Sequence, residues 1–281
     1  MRVVASRLRL SIVLFSPLAL ASCAHDPAPK KIEKPKDQNT VSFRSSVIGL
    51  IGGETILTGR LKKPTGDGPF PAIVLLHGCG GIQPKRDHLW AERLSGWGYV
   101  TLQVDSFLPR GLSNVCTYSG KNSTDIIQKR ISDAFDTKQY LAGLPFVDRS
   151  RIAVMGWSHG GLTTLQTVYR TTDDPFRAAI AFYPSCRRPL TGLNAPLLIL
   201  IGEKDDWTPA AQCVAAMPRP ADPVASDVML KVYPGAYHAF DRPGNSTDVR
   251  GSTGMHHLEY QPEAEADAII RVKAFFEKHL Q

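Results

Sequence analysis

Gly156-Trp157-Ser158-His159-Gly160 stands between an apolar run at residues 151–155 and a stretch with helical apolar spacing at residues 161–169. A Gly-x-Ser-x-Gly sequence between a strand and a helix is typical of a tight, strained turn that lifts the serine hydroxyl out of the sheet. An ordinary glycine-rich turn is the alternative, because a five-residue match occurs often by chance. The flanking strand and helix favour an exposed nucleophile at Ser158.

Short apolar strands and amphipathic helices alternate on both sides of this turn, which predicts an α/β fold with a mostly parallel, doubly wound sheet and helices on both faces. The connections are short, so no large lid is expected, and residues 41–281 are predicted to form one domain. Ser123 or Thr124 is the predicted N-cap of the longest internal helix. The predicted strands are residues 46–50 and 55–61 (a hairpin), 71–76, 99–104, 151–155, 178–183, 196–201 and 228–232, and the predicted helices are residues 90–97, 123–144, 161–169 and 264–280.

The N-terminus has the pattern of an export signal, with three arginines before the apolar residues 10–21. Leu20-Ala21-Ser22-Cys23 resembles a bacterial lipobox, which predicts a signal peptide at residues 1–22 and a lipidated Cys23. A plain secreted protein is the alternative. Residues 23–40 are rich in proline and lysine and predict an extended tether. The expected location is the periplasmic face of the outer membrane, because Ala24 and not aspartate follows the cysteine.

The charge balance argues against a nucleic-acid partner. The 281 residues carry 33 Lys and Arg against 26 Asp and Glu, a net charge of +7, which falls to +4 without the three N-terminal arginines. Such a small, dispersed excess serves solubility. Cysteine and histidine show no zinc-type ligand spacing, so no metal and no organic cofactor is expected.

A serine nucleophile needs a base, and the base needs an acid that orients it. In this fold the acid and then the base follow the serine, each after a later strand. Asp205 and Asp206 compete for the acid position after the strand at residues 196–201. His238 follows the strand at residues 228–232 and is the candidate base. The other histidines lack this order, and His256 and His257 are predicted to lie in a polar loop.

Catalysis also needs hydrogen-bond donors for the developing oxyanion. The backbone N–H of His159, directly after the serine, is one candidate. The N–H of Cys79 is the other, because it lies in His77-Gly78-Cys79-Gly80-Gly81 after the strand at residues 71–76. A plain glycine turn is the alternative for that loop.

Five ordered motifs resemble the dienelactone hydrolase family of α/β-hydrolases. The family pattern G-x-x-D-x-x-x-P implies that Asp205 is the acid, and P-G-x-x-H-x-F implies that His238 is the base. Dienelactone hydrolases proper carry a cysteine nucleophile and a glutamate that holds it, whereas this chain has Ser158 and, at the matching position, Gly78. The motifs are HGCGG at 77–81, DSFLPRG at 105–111, GWSHGG at 156–161, GEKDDWTP at 202–209 and YPGAYHAFD at 233–241.

The resemblance implies a serine hydrolase that acts on a small, accessible ester or lactone, with dienelactone itself not expected as the substrate. A peptidase, an acyltransferase and a non-catalytic binding or scaffold protein are the alternatives. Arg242, four residues after His238, matches a substrate-binding arginine of the family, and Arg110 lies one residue away from a second such position. Arginine pairs well with carboxylate, so an acidic ester is one interpretation, and two solvated arginines are the other. Trp207 is a third candidate substrate-binding residue.

Cys79, Cys116, Cys186 and Cys213 would meet an oxidising compartment after export, where disulfides form. Four cysteines allow three pairings. Because Cys186 and Cys213 follow neighbouring strands, and Cys79 and Cys116 follow strands on the other side of the nucleophile, we predict the pairs Cys79–Cys116 and Cys186–Cys213. Small buried thiols are the alternative.

Overall fold

The computed structural model describes residues 39–46, 55–222, 227–244 and 246–281. These residues belong to one compact unit, Lys34–Gln281. The predicted signal peptide, the lipidation at Cys23 and nearly all of the tether lie outside the described residues, as does most of the predicted strand at residues 46–50.

Eight strands form one sheet in the order β1-β2-β4-β3-β5-β6-β7-β8. The first two strands pair antiparallel, β2 pairs antiparallel with β4, and every later pairing is parallel. Strand β7, the neighbour of the edge strand β8, is buried along its whole length, as expected for a strand covered on both faces. The strands are β1 (Thr40–Arg44), β2 (Ile56–Lys62), β3 (Phe70–Leu76), β4 (Val100–Asp105), β5 (Val147–Trp157), β6 (Ala179–Phe182), β7 (Leu197–Gly202) and β8 (Val228–Tyr233).

The helices cover this sheet. Helices α2 and α3 contact each other, and an ion pair between Arg93 and Glu265 connects α1 to α5. The predicted N-cap of α2 is wrong: the helix begins at Gly120 with Ser119 before it, so Ser123 and Thr124 lie inside its first turns. The helices are α1 (Leu89–Gly96), α2 (Gly120–Ala142), α3 (His159–Tyr169), α4 (Ala210–Ala216) and α5 (Pro262–Leu280), with short helical turns at Pro84–His88 and Leu108–Arg110.

A separate hairpin, β9 (Thr247–Gly251) and β10 (Gly254–Leu258), lies beside the segment that follows β8. The prediction of a polar loop here is wrong. His256 is buried and stacks on Trp207 with ring centroids 4.8 Å apart, and Leu258 forms a β-bridge with His238. The hairpin therefore touches the segment that carries the candidate base. No helix in the described part of the chain is long and apolar enough to cross a membrane.

Candidate active site

Ser158 occupies a strained turn between β5 and α3. Its backbone has φ 54° and ψ −114°, a conformation that costs free energy in a non-glycine residue and that is found at functional sites. The turn is possible because the following segment has no side chain at Gly160: a Cβ there would lie 2.0 Å from the carbonyl oxygen of Leu76. The tight packing of α3 against β3 thus fixes the serine at the carboxyl end of the sheet.

His238 lies after β8 and contacts the serine directly. Its Nε2 is 2.9 Å from Ser158 Oγ. The imidazole is buried against Tyr183 and Trp207, with ring centroids 4.6 and 5.1 Å away. These contacts, together with the β-bridge to Leu258, hold the ring at hydrogen-bonding distance from the serine hydroxyl.

Asp205 lies after β7 and accepts the other imidazole hydrogen bond. Its Oδ2 is 2.7 Å from His238 Nδ1, and the same oxygen accepts a hydrogen bond from the Thr208 hydroxyl at 2.9 Å. The N–H groups of Trp207 and Thr208 donate to Oδ1 at 3.0 and 2.8 Å. Burial acts to raise the pKa of Asp205, but the nearby His238 charge and these hydrogen bonds outweigh it and lower the pKa.

Asp206 points away from this chain of hydrogen bonds. Its carboxylate, 49% exposed, accepts the N–H of His257 in β10 at 3.2 Å. Between the two competing carboxylates, only that of Asp205 contacts His238 among the described residues. Asp206 connects the loop after β7 to the hairpin, a role the sequence analysis did not foresee.

The two predicted oxyanion donors flank the serine. His159 is the first residue of α3, so its N–H has no acceptor within the helix. Cys79 lies in the loop after β3, where its carbonyl accepts the N–H of Val115 and the turn is closed by a hydrogen bond from Gly81 to Gly78. Cys79 lines both of the cavities that adjoin Ser158, and His159 lines one of them.

Both predicted disulfides are present. Cys79 joins Cys116 and Cys186 joins Cys213, each with Cα atoms 4.8 Å apart. The first disulfide ties the loop with the candidate oxyanion donor to the segment before α2. The second ties the segment after β6 to α4, the helix that follows Asp205.

Two cavities adjoin Ser158. The larger has a volume of about 200 Å³ and the smaller about 120 Å³. Ser158, Trp207 and the Cys79–Cys116 disulfide line both of them. The hairpin contributes Val249 and Leu258 to the larger cavity and Ser252 and Thr253 to the smaller one.

Of the predicted substrate-binding residues, Arg242 and Trp207 line the larger cavity, but Arg110 does not. The prediction for Arg110 is wrong. Its guanidinium is 1% exposed and forms two parallel hydrogen bonds with Asp133 of α2, at 2.8 and 2.7 Å. This pairing was not visible in the sequence, because it depends on which face of α2 packs against the segment after β4.

Arg86 lines the larger cavity instead and was missed by the sequence analysis, since no motif marks it. It is 4% exposed; its Nε donates to Asp87 at 2.7 Å and its Nη1 to the hydroxyl of Tyr183 at 3.3 Å. Its Nη2 has no hydrogen-bond partner within the described residues. Two cations, Arg86 and Arg242, thus border the cavity beside the serine.

Ser158, His238 and Asp205 are the groups of this site that could supply a nucleophile, a base and an acid. In the part of the chain that the structure describes, no group of three or more His, Cys, Asp and Glu side chains is placed to hold a metal ion. A mostly parallel sheet with serine, histidine and aspartate at the carboxyl ends of its strands defines an α/β-hydrolase fold.

The chain belongs to the dienelactone hydrolase family, a family of hydrolases, because the sequence model of that family matches residues 57–280. A Klebsiella pneumoniae structure assigned as a dienelactone hydrolase has a TM-score of 0.62 at 21% identity, covering 85% of this chain and 99% of that one. Esterase 2 of Thermogutta terrifontis has a TM-score of 0.61 at 18% identity, covering 86% of this chain and 95% of its own. Both likenesses concern the fold.

Curated relatives match over shorter regions. Esterase FrsA of Klebsiella pneumoniae is 27% identical over 152 residues, which are 54% of this chain and 32% of the relative. A Grosmannia clavigera protein assigned as dipeptidyl-aminopeptidase B is 35% identical over 92 residues, 31% of this chain and 9% of the relative. The chain thus spans a third or less of the length of these two relatives. The predicted family and fold are confirmed.

Proposed function

We propose that this protein is a serine carboxylic ester or lactone hydrolase acting on small, accessible substrates. The observation that carries the proposal is the continuous hydrogen-bond chain from Ser158 through His238 to Asp205. Distances of 2.9 and 2.7 Å within this chain are those of a nucleophile held by its base and a base held by its acid.

In the proposed reaction, Ser158 Oγ attacks the ester carbonyl while His238 Nε2 takes the hydroxyl proton. Asp205 accepts the Nδ1–H of the imidazole, which keeps Nε2 free as the base and stabilises the imidazolium. The imidazolium then protonates the leaving alkoxide, and an acyl-enzyme remains. Water, deprotonated by His238, attacks the acyl-enzyme and releases the acid and the serine.

The backbone N–H groups of Cys79 and His159 are the proposed donors to the oxyanion of each tetrahedral intermediate. The loop with Cys79 is braced by its disulfide, and the N–H of His159 stands at the positive end of α3. Fixed donors of this kind need no rearrangement when charge develops on the substrate oxygen.

The cavities support small substrates, since their volumes of about 200 and 120 Å³ lie below the roughly 300 Å³ at which typical small-molecule sites begin. Arg242 at the larger cavity supports an acyl group or alcohol that carries a carboxylate. We also propose that the chain is exported and anchored to a membrane through a lipid on Cys23, on the periplasmic side. The sequence pattern of residues 1–23 supports this part of the proposal.

A panel of chromogenic substrates tests the proposed function. Short-chain aryl esters, aryl lactones and aminoacyl anilides are incubated with the wild-type protein and with Ser158→Ala. We expect ester or lactone turnover that falls at least ~10³-fold in the variant. Anilides that turn over faster than esters would favour a peptidase, and ester hydrolysis that survives Ser158→Ala would contradict the proposal. A protein that binds these esters without turnover would point to the binding or scaffold alternative.

A further inference from the structure

Arg130 of α2 is a buried cation close to both candidate oxyanion donors. Its side chain is fully enclosed, at 0% exposure, beneath the ring of Phe107, whose centroid is 5.0 Å from the guanidinium carbon. Its Nη1 lies 2.6 Å from Nδ1 of His159, and its Nη2 donates to the carbonyl oxygen of His77 at 2.6 Å. One guanidinium therefore joins the start of α3 to the loop after β3.

The charge of Arg130 is not neutralised by an ion pair within the described residues. The two carboxylates whose charges act most strongly on it have other partners: Asp133 pairs with Arg110, and Asp105 accepts two backbone N–H groups at 2.8 and 3.0 Å. Burial lowers the pKa of Arg130 to about 10, against the opposing charges of Asp133 and Asp105, so it stays protonated at neutral pH. Desolvating a charge without a bonded counter-ion is costly, which points to a use beyond packing.

The bond to His159 settles the state of that side chain. An arginine can only donate, so Nδ1 of His159 accepts and the neutral ring carries its proton on Nε2. Burial and the Arg130 charge lower the pKa of His159 well below its ordinary value, which keeps the ring neutral. Arg130 thereby fixes the first residue of α3 directly after the serine.

The hydrogen bond from Arg130 to the His77 carbonyl fixes the peptide that joins His77 to Gly78. The next peptide, which joins Gly78 to Cys79, is held by the imidazole ring of His77. The N–H of Ser106 donates to His77 Nε2 at 3.3 Å, so the proton of this buried ring is on Nδ1, which donates to the Gly78 carbonyl at 2.8 Å. In a trans peptide the N–H points opposite to the carbonyl. Holding the Gly78 carbonyl on His77 therefore sets the direction of the Cys79 N–H.

We propose that Arg130 is a positioning residue for the oxyanion hole: it clamps the segments of His159 and Cys79 in one geometry and places a fixed positive charge behind them. This inference rests on the proposed function. If Arg130 has this role, it stabilises the transition state, in which the substrate oxygen carries charge, more than it stabilises the bound substrate.

Arg130→Met tests the proposal, with Lys138→Met as the matched control. Lys138 is on the same helix and similarly buried, but its ammonium group pairs with Asp174, and neither residue lines the cavities at Ser158. We expect Arg130→Met to lower kcat by about 10²-fold, the typical loss for one oxyanion donor, with KM changed by less than about 3-fold. Lys138→Met should keep the kcat of wild type in its folded fraction.

An ester and its thionoester provide the readout that a structural role would not move. Sulfur accepts hydrogen bonds weakly, so an intact oxyanion hole favours the oxygen ester. We expect the ratio of the two kcat values to fall by about tenfold in Arg130→Met and to be unchanged in Lys138→Met. A loss of activity with an unchanged ratio, or a wild-type kcat in folded Arg130→Met, would overturn the proposal.

A second pair of variants decides the matter if Arg130→Met does not fold. His159→Leu removes the acceptor for Arg130, whereas the side-chain oxygen of asparagine in His159→Asn replaces Nδ1. We expect His159→Leu to have a reduced kcat and a reduced preference for the oxygen ester. His159→Asn should have a kcat at least about tenfold higher than that of His159→Leu. Equal kcat values in the two variants would overturn the proposal. These outcomes differ from a failure of the proposed function, in which the wild-type protein itself would lack turnover that depends on Ser158.

Discussion

Replacing Asp205 by asparagine tests the proton arrangement that the site needs. In the native geometry Oδ2 accepts the Nδ1–H of His238 at 2.7 Å, while Oδ1 accepts the N–H groups of Trp207 and Thr208. An asparagine would keep its carbonyl oxygen at the two backbone donors, because its NH₂ group would oppose them. That NH₂ group would then donate to Nδ1, the proton would move to Nε2, and His238 could not take the proton of Ser158.

The expected loss in kcat is about 10⁴-fold, the size found where an asparagine imposes the wrong tautomer in a serine–histidine–aspartate site. This corresponds to about 5.4 kcal/mol of barrier at ~1.36 kcal/mol per tenfold change in rate. Asp206→Asn is the matched control, since it makes the same chemical change one residue away on a carboxylate that is about half exposed. We expect less than a tenfold effect there.

Steady-state hydrolysis of a short-chain aryl ester by wild type and both variants measures this difference, with thermal unfolding as a check that each variant is folded. Equal losses, or a larger loss in Asp206→Asn, would refute the assignment of Asp205 as the acid. A loss in Asp205→Asn that appears in KM and not in kcat would refute the tautomer argument.

Three other predictions concern charge, bracing and pH. Arg242→Ala should raise KM by about tenfold or more for esters that carry a carboxylate and by much less for neutral esters of the same size; equal changes would show that this arginine does not bind the substrate. Replacing Cys79 and Cys116 by serine should lower the free energy of unfolding by about 2–4 kcal/mol, measured by denaturant titration, and should also lower kcat. Removal of the Cys186–Cys213 disulfide is the control. An unchanged kcat in the Cys79 and Cys116 variant would show that this disulfide does not position the oxyanion loop. Because the pKa of Asp205 is lower in the folded state, its ionised form stabilises the fold above the unfolded pKa near ~4, and this stability is lost as the pH falls through the folded value. The stability difference between wild type and Asp205→Asn should therefore shrink in acid, and a difference that grows on acidification would contradict this.

The strand ends and the order of the candidate residues could be predicted from the sequence because both follow from local patterns. Apolar runs located the strands of the parallel part of the sheet, and each parallel strand delivers its following loop to the same edge. Ser158, Asp205 and His238 each follow such a strand, so their convergence needed no knowledge of side-chain packing. The two disulfide pairs followed from the same argument.

The hairpin and the arginines could not be predicted because they depend on tertiary contacts. Strand β9 is mostly exposed and lacks an apolar alternation, so nothing in residues 247–251 indicated a strand. Arg110 stands in a family motif and Arg86 and Arg130 stand in none, but at none of the three positions does the sequence indicate what the guanidinium contacts. One pairs with a buried carboxylate, one lines the cavity and one joins two backbone segments, and only the packing of α2 and of the segment before α1 distinguishes them.

Covalent labelling of the full chain with a fluorophosphonate, followed by peptide mapping, tests the central claim most directly. Only a serine activated by a neighbouring base reacts at a useful rate with this class of probe. We expect one phosphonyl group on the peptide that contains Ser158, no labelling in Ser158→Ala and strongly slowed labelling in His238→Ala. Labelling of another residue, or a wild-type protein that stays unlabelled, would contradict the account.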